Sequence, residues 1–250
     1  MCTNDKNLWL FGDNSIIKLE KNQFSDEFIV EKFPVSQSLR SGLIGFENII
    51  SLDNSSHLLG SSQGYIVLNH GITQSKPEIN LSINSVVATN EGIIAVGNNG
   101  TVLTSPNGQI YSSLGIAGLA GFNLNKIIHS NGKYVICGSG GVIATGDRFS
   151  TISKVTTNLT TELVSVDYQD IYVALDVNGD LYYSFDAATW IQRDVANVGS
   201  NTLKDLSFVP EYGKDGRYIV IGSGSTVIVS DQVFNRATVE TSQTSGIVTS

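Results

Sequence analysis

The chain has 250 residues, 41% of them hydrophobic and only 15% charged, with 25 glycines against 4 prolines. Lys and Arg total 15 against 23 Asp and Glu, a formal charge of −8. This balance supplies enough apolar surface for a core and excludes a disordered polymer, a coiled coil and a basic nucleic-acid-binding domain.

The N-terminus, MCTNDKNLWLFGDN, has no basic stretch followed by an apolar run, so the expectation is synthesis in the cytoplasm without a signal peptide. No run approaches the ~20 apolar residues of a membrane span, so membrane insertion is not expected. Two cysteines, Cys2 and Cys137, are too few for a disulfide framework. Cys137, inside YVICG, reads as a small buried hydrophobe, and Cys2 as a free thiol.

One phrase then recurs in chain order: an apolar run, a turn rich in Gly, Asn or Ser, and a second apolar run. It starts at Leu8, His57, Ile93, Tyr134, Tyr172 and Tyr218. Its turn residues Ser15, Gly64, Gly100, Gly140, Gly179 and Ser225 recur about every 42 residues. Runs of four to six residues rich in Val, Ile and Tyr, bounded by residues that tolerate positive φ, predict β-hairpins. No window shows the i, i+3, i+4, i+7 spacing of an amphipathic helix.

A third strand is predicted before each hairpin, from Glu47, Ile83, Asn125, Glu162 and Leu203. A fourth, more polar one follows, from Phe28, Glu78, Gln109, Ile152, Trp190 and Arg236. Four strands per repeat, the last the most polar, is the period of a β-propeller blade with a solvated outer edge. The expectation is all-β: a six-bladed β-propeller of four-stranded antiparallel blades in one domain, residues 1–250. The blades fall near 1–42 with 246–250, 43–82, 83–120, 121–160, 161–200 and 201–245. The first copy shows no first strand of its own, and Gly246–Ser250 resembles the missing one, so the C-terminal strand is expected to pair into the first blade and close the ring.

YSFDAATW, Tyr183 to Trp190, resembles a shortened Asp-box, the S-x-D-x-G-x-T-W turn of sialidase-type propellers, through Ser184, Asp186, Thr189 and Trp190. Weaker echoes stand at Ser105, Thr145 and Ser230. IIAVGNNGTVLTSPNG, from Ile93, is similar to the WD-like propellers that include photosystem assembly factors, and blades of this kind also occur in phage tail and virion proteins. The resemblance implies the fold over nearly the whole chain and gives the four Asp-box-like residues a structural role. Asp and Ser bond turn amides, and Trp packs between sheets. Asp186 is accordingly read as a turn residue and not as a catalytic acid.

The residues point away from catalysis. Arg40, Arg148, Arg193, Arg217 and Arg236 lie in different contexts, unlike the arginine cluster of sialidases, and no carboxylate pair is singled out. His57, His70 and His129 lack metal-ligand spacing. The Asp176–Asp180 stretch DVNGD alternates oxygen ligands but reads as a hairpin turn. The glycine phrases GNNG and GSGG precede strands, not the helix that a phosphate loop needs. No catalytic, cofactor-binding or metal residue is assigned, and no cofactor is expected.

The function expected is a non-enzymatic structural or protein-interaction propeller. Ser, Thr, Asn and Gly richness and low charge favour a phage virion component of the tail, baseplate or capsid surface, acting in assembly or host attachment. The alternatives are a soluble assembly factor of a larger complex and a carbohydrate-binding, receptor-binding propeller. The partners expected are other proteins of an assembly, with a glycan as the alternative ligand. For a glycan, Trp9, Tyr65, Tyr111, Tyr182, Tyr183 and Tyr212 are the aromatic candidates. Two contact loops are named: Pro34–Gly45, and Pro210–Arg217 with Tyr212, Lys214 and Arg217.

Overall fold

A computed structural model describes the backbone of residues 2–4, 7–11, 15–21, 28–34, 39–44, 57–61, 66–69, 73–75, 82–108, 110–193, 202–209, 217–223, 226–230 and 237–241. Side chains are described for 82–108, 110–193, 202–209, 218–223 and 226–229.

Strands fall in groups of four. The first group is β1 (Cys2–Asn4), β2 (Asn7–Phe11), β3 (Ser15–Lys21) and β4 (Phe28–Pro34). The second is β5 (Leu39–Ile44), β6 (His57–Ser61), β7 (Ile66–Asn69) and β8 (Thr73–Ser75). The third is β9 (Ile83–Thr89), β10 (Gly92–Gly97), β11 (Val102–Ser105) and β12 (Ser112–Ser113). The fourth is β13 (Leu124–Ser130), β14 (Lys133–Gly138), β15 (Ile143–Gly146) and β16 (Ser153–Lys154). The fifth is β17 (Leu163–Gln169), β18 (Ile171–Asp176), β19 (Leu181–Ser184) and β20 (Ile191–Arg193). The sixth is β21 (Leu203–Val209), β22 (Arg217–Gly222), β23 (Thr226–Ser230) and β24 (Ala237–Thr241). Each group is a four-stranded antiparallel meander whose spatial order follows the chain.

Packing explains the sequence pattern. Every residue of β10 is buried, because a strand inside a sheet that is covered on both faces has no solvent side. Along β14, Tyr134 and Ile136 join a core shared with the third sheet, while Val135 and Cys137 join one shared with the fifth. Along β18, Tyr172 and Ala174 face the fourth sheet's residues, and Val173 and Leu175 face those of the sixth. The two-residue period of a strand thus feeds two cores at once. Outer strands are polar and exposed: Ser112–Ser113 and Ser153–Lys154.

Two features recur from sheet to sheet. The first strand bulges after its opening residue in five sheets: register slips between Leu39 and Ser41, around Asn84 opposite Val96 and Gly97, between Leu124 and Lys126, between Leu163 and Ser165, and between Leu203 and Asp205. A bulge re-aims the extra side chain. The Asn84 amide donates to Leu124 O at 3.0 Å, and the Asn125 amide to Leu163 O at 2.8 Å, each tying one sheet to the next. The partner strand ends on glycine here, since a Cβ at Gly97 or Gly138 would collide with the carbonyl of Ser82 or Asn123.

The second feature is a buried tyrosine opening the second strand. The Tyr134 and Thr89 hydroxyls share a 2.6 Å hydrogen bond, and Tyr172 donates to Ser130 O at 3.0 Å. Tyr218 is buried at the same place, edge-on to Phe208. Each ring fills the gap between sheets, and the two bonded hydroxyls reach the first hairpin of the preceding sheet.

First strands lie side by side in chain order: β1 by β5, β5 by β9, β9 by β13, β13 by β17, β17 by β21, and β21 by β1. The first sheet differs from the sequence expectation. Its first strand is its own Cys2–Asn4, paired Cys2↔Trp9 to Asn4↔Asn7, because a two-residue connection leaves just enough chain for a short hairpin. It holds the place expected for Gly246–Ser250, which lie outside the described residues. In the second sheet the first strand is Leu39–Ile44, upstream of the segment predicted from Glu47, which lies outside the described residues. The Pro34–Gly45 stretch is therefore largely strand: the bulge signature Leu39–Ser41 sits inside it, matching Leu163–Ser165. The fourth strand there is Thr73–Ser75, upstream of the segment expected from Glu78, of which only Ser82 is described.

Candidate functional site

The residue after the bulge lies at one register position in each sheet: Ser85, Lys126, Ser165 and Asp205. In the third and fifth sheets it is a serine whose hydroxyl lies against the neighbouring first strand: Ser85 donates to Ile127 O at 3.4 Å, and Ser165 Oγ lies 3.3 Å from Leu206 O. In the fourth and sixth it is a charge. Lys126 Nζ lies 3.1 Å from Asp205 Oδ1 and 3.3 Å from Oδ2. Ser165 lies within reach of the same carboxylate, its hydroxyl 2.6 Å from Oδ1, and the Leu206 N–H reaches Oδ1 at 2.9 Å. The pair therefore joins the fourth sheet to the sixth past the fifth.

Both members are mostly buried, with side chains 16% and 14% exposed. Burial would push the Asp205 carboxyl up, but nearby positive charge, that of Lys126 first, and hydrogen bonds that include the Ser165 hydroxyl's outweigh it and hold it well below the usual carboxylate range. Two residues later in register, Asp167 accepts the Phe208 N–H of β21 at 2.7 Å and the Tyr168 N–H at 2.8 Å. Here burial prevails over those donors and over Lys126, and the carboxyl is pushed up. The two acids thus titrate in opposite directions, as acid and base do in many active sites. Their oxygens, however, are engaged in holding strands together: Asp205 by an ammonium and Asp167 by two backbone donors.

The Asp-box-like residues of the fifth sheet meet in one turn between β19 and β20. Ser184 donates to Asp186 Oδ1 at 2.9 Å, and the same oxygen accepts the N–H groups of Thr189 at 2.7 Å and Ala188 at 2.8 Å. The Thr189 hydroxyl bonds Asp186 Oδ2 at 3.2 Å. These donors, the Thr189 N–H first, lower the Asp186 carboxyl to about 2. Trp190 is buried in the core shared with the fourth sheet, and its indole donates to Ala187 O at 3.2 Å. Ala187 stands at φ 62°, the conformation that favours glycine. In the third sheet Ser105, Asn107 and Gly108 build a similar turn: the Gly108 N–H reaches Ser105 Oγ at 2.8 Å. The fourth sheet has a 3-10 turn, Phe149–Thr151, instead, and Ile152 is buried after it.

The other sequence candidates fall apart in space or lie elsewhere. Tyr212 and Lys214 are outside the described residues, and Arg217 opens β22 opposite Val209. Of the aromatic candidates, Tyr65 is outside the described residues, Trp9 has only its backbone described, Tyr182 is in the core, and Tyr111 and Tyr183 are half-buried. His129 is exposed and stacks on Tyr134 with ring centres 4.4 Å apart; burial of its ring lowers its basicity against the opposing charge of Glu91. His57 lies in β6, and His70 outside the described residues. Among the described residues, no group of three His, Cys, Asp or Glu is placed to hold a metal. Asp176 Oδ1 accepts the N–H groups of Asn178 and Asp180, both at 2.9 Å, which makes DVNGD a hairpin turn. Cys137 is fully buried, and burial pushes its thiol up to about 12. No helix among the described residues is long and apolar enough to cross a membrane.

Sequence reasoning missed Lys126, Ser165, Asp167 and Asp205. For Lys126, Ser165 and Asp205 the signal is a polar residue two places after the opening Leu of a first strand; Asp167, four places after Leu163, carries no such mark.

No family model matches the chain, and no curated protein matches it in sequence. Many solved structures share its fold. One is described as YCF48 bound to D1 peptide: TM-score 0.59, 13% identity, covering 94% of this chain and 78% of that one. The fold is that of a β-propeller. At this identity the likeness concerns architecture, and it spans nearly the whole length of the chain described above.

Proposed function

We propose that the chain is a non-enzymatic six-bladed propeller that binds segments of other proteins as an assembly factor of a larger complex. The observation that carries this is the likeness of nearly the whole chain to a propeller solved with a peptide bound. The six sheets form six blades, and the approach of β21 to β1 closes the ring through Cys2–Asn4. Lys126 and Asp205 then meet across the central axis and plug it, which leaves the faces and the rim for partners.

A general acid and base need free lone pairs facing a substrate. Asp205 is held by Lys126 and by the Ser165 and Leu206 donors, and Asp167 by two N–H groups. The virion reading draws on composition and on a resemblance of the repeats to phage propellers, whereas the assembly-factor reading has a whole-chain structural likeness behind it and takes precedence.

The test is density-gradient fractionation of the producing cells with quantitative mass spectrometry of every fraction. The proposal expects the chain in a soluble fraction, partly co-migrating with an assembly intermediate. Quantitative recovery in a dense particle at structural stoichiometry would favour the virion component instead. Recovery solely as a free monomer would count against both.

A further inference from the structure

We infer that Asn131 is the site at which the folded protein undergoes spontaneous deamidation, with water as the only co-reactant. Asparagine followed by glycine suits a two-residue hairpin loop, since both residues accept positive φ. The same dipeptide is prone to lose its side-chain amide, because glycine leaves the following nitrogen unshielded. The chain holds four such pairs, at Asn99, Asn107, Asn131 and Asn178, each between two strands of a sheet. This chemistry needs no partner, so it stands or falls apart from the assembly-factor reading.

The step is attack by the glycine backbone nitrogen on asparagine Cγ. The nitrogen gives up its proton, the N–Cγ bond forms, the Cγ–Nδ2 bond breaks and ammonia leaves, closing a five-membered succinimide. Water then opens the ring at one of its two carbonyl carbons and leaves aspartate or isoaspartate. A hydrogen bond made by the glycine N–H resists both loss of that proton and rotation of the nitrogen toward Cγ. Three of the four pairs are held in this way. The Gly100 N–H donates to Phe122 O at 2.6 Å, the Gly108 N–H to Ser105 Oγ at 2.8 Å and the Gly179 N–H to Asp176 O at 3.2 Å. Gly108 and Gly179 are also buried, and a Cβ at Gly100 would collide with the Leu119 carbonyl.

Asn131–Gly132 differs on every count. Both residues are exposed, at φ 51° and 71°, in the loop between the paired Ser130 and Lys133. The Gly132 N–H takes no hydrogen bond among the described residues, and nothing lies within 4 Å of the place a Cβ would occupy. Nitrogen and ring therefore have room. The loop also bears on packing, since the adjoining Ser130 O accepts the Tyr172 hydroxyl at 3.0 Å and so ties the fifth sheet to the fourth. Isoaspartate adds a methylene to the main chain of a two-residue loop and displaces that carbonyl, whereas aspartate leaves the main-chain path as it is.

The test is incubation of the purified full chain in mildly alkaline buffer made with heavy-oxygen water, followed over time by peptide mapping with mass spectrometry. Asn131 should convert to a mixture of aspartate and isoaspartate, each product carrying one heavy oxygen, at a rate severalfold above those of Asn99, Asn107 and Asn178. In urea the four should convert at similar rates, because the hydrogen bonds that protect three of them are gone. Asn131→Gln should remove the fast conversion and leave the other three sites as they were. Faster conversion at any of the other three in the folded chain overturns the proposal. So does a folded Asn131 that keeps its amide while the urea-unfolded chain converts. The isoaspartate form, isolated by chromatography, should melt a few degrees below the parent, and Asn131→Asp close to it. Equal melting of the isoaspartate form and the parent would overturn the loosening of the Ser130–Tyr172 contact.

Discussion

Lys126 and Asp205 carry opposite charges in a place where water is largely excluded, and each offsets part of the cost of burying the other. Removing one deprives the buried partner of an opposite charge 3.1 Å away, so Lys126→Met should destabilise the protein in urea unfolding, by up to about 3–5 kcal/mol. The double change Lys126→Met with Asp205→Leu should recover most of that loss, because an apolar pair has no desolvation penalty. The pH dependence follows from the direction of the Asp205 shift. Its folded carboxyl lies below the unfolded value of ~3.9, so its contribution is present above that pH and lost as pH falls toward the folded value. Asp205→Asn should therefore flatten the acid limb of the stability–pH curve. Asp167 acts with the opposite sign: its raised carboxyl favours the folded state at low pH and ceases to do so as pH rises through its folded value. Asp186 belongs to a different class. Its bonds order an exposed turn, and Asp186→Ala should cost about 1 kcal/mol, seen as a small loss in melting temperature.

At the scale of elements, the strand–turn–strand phrase is what the sequence makes legible, because β10, β14 and β18 are covered on both faces and must be continuously apolar. The outer strands at Phe28, Ile152, Trp190 and Arg236 are legible for the converse reason, being polar runs at a fixed distance from a hairpin. The first strands are harder. Their apolar residues are broken by the bulge, so a window scored for hydrophobicity prefers Glu47–Leu52 to the true Leu39–Ile44. The polar cluster was hidden by the same device, since Lys126 and Asp205 stand at bulges where a charge looks like a break in the strand. The bulge itself is tested at its glycine. Gly138→Ala sets a methyl against the Asn123 carbonyl and should destabilise the protein by about 1–3 kcal/mol, while an alanine at Gly132, where a Cβ has open space but φ is positive, should cost about 1 kcal/mol.

At the scale of the whole molecule, first strands touch one another in chain order from β1 to β21, and β21 approaches β1. Three cores among the described residues each belong to two sheets, so these sheets support one another and the weakest junction limits the whole. That junction is β21 against β1, where the first strand is only three residues long. Deletion of residues 1–4 should lower the melting temperature by several degrees, since each 1 kcal/mol corresponds to about 2–4 °C at this size. Deletion of 246–250 should change it little, because Cys2–Asn4 already fills the position. The reverse ranking would restore the C-terminal closure read from the sequence. The most direct test of the central claim, that this ring serves to hold segments of other proteins, is cross-linking mass spectrometry in the cells that make it. The prediction is cross-links from the chain to a small set of proteins of one assembly, clustered on one face or one stretch of the rim. Cross-links confined to the chain itself, in cells where the protein is abundant and folded, would contradict it.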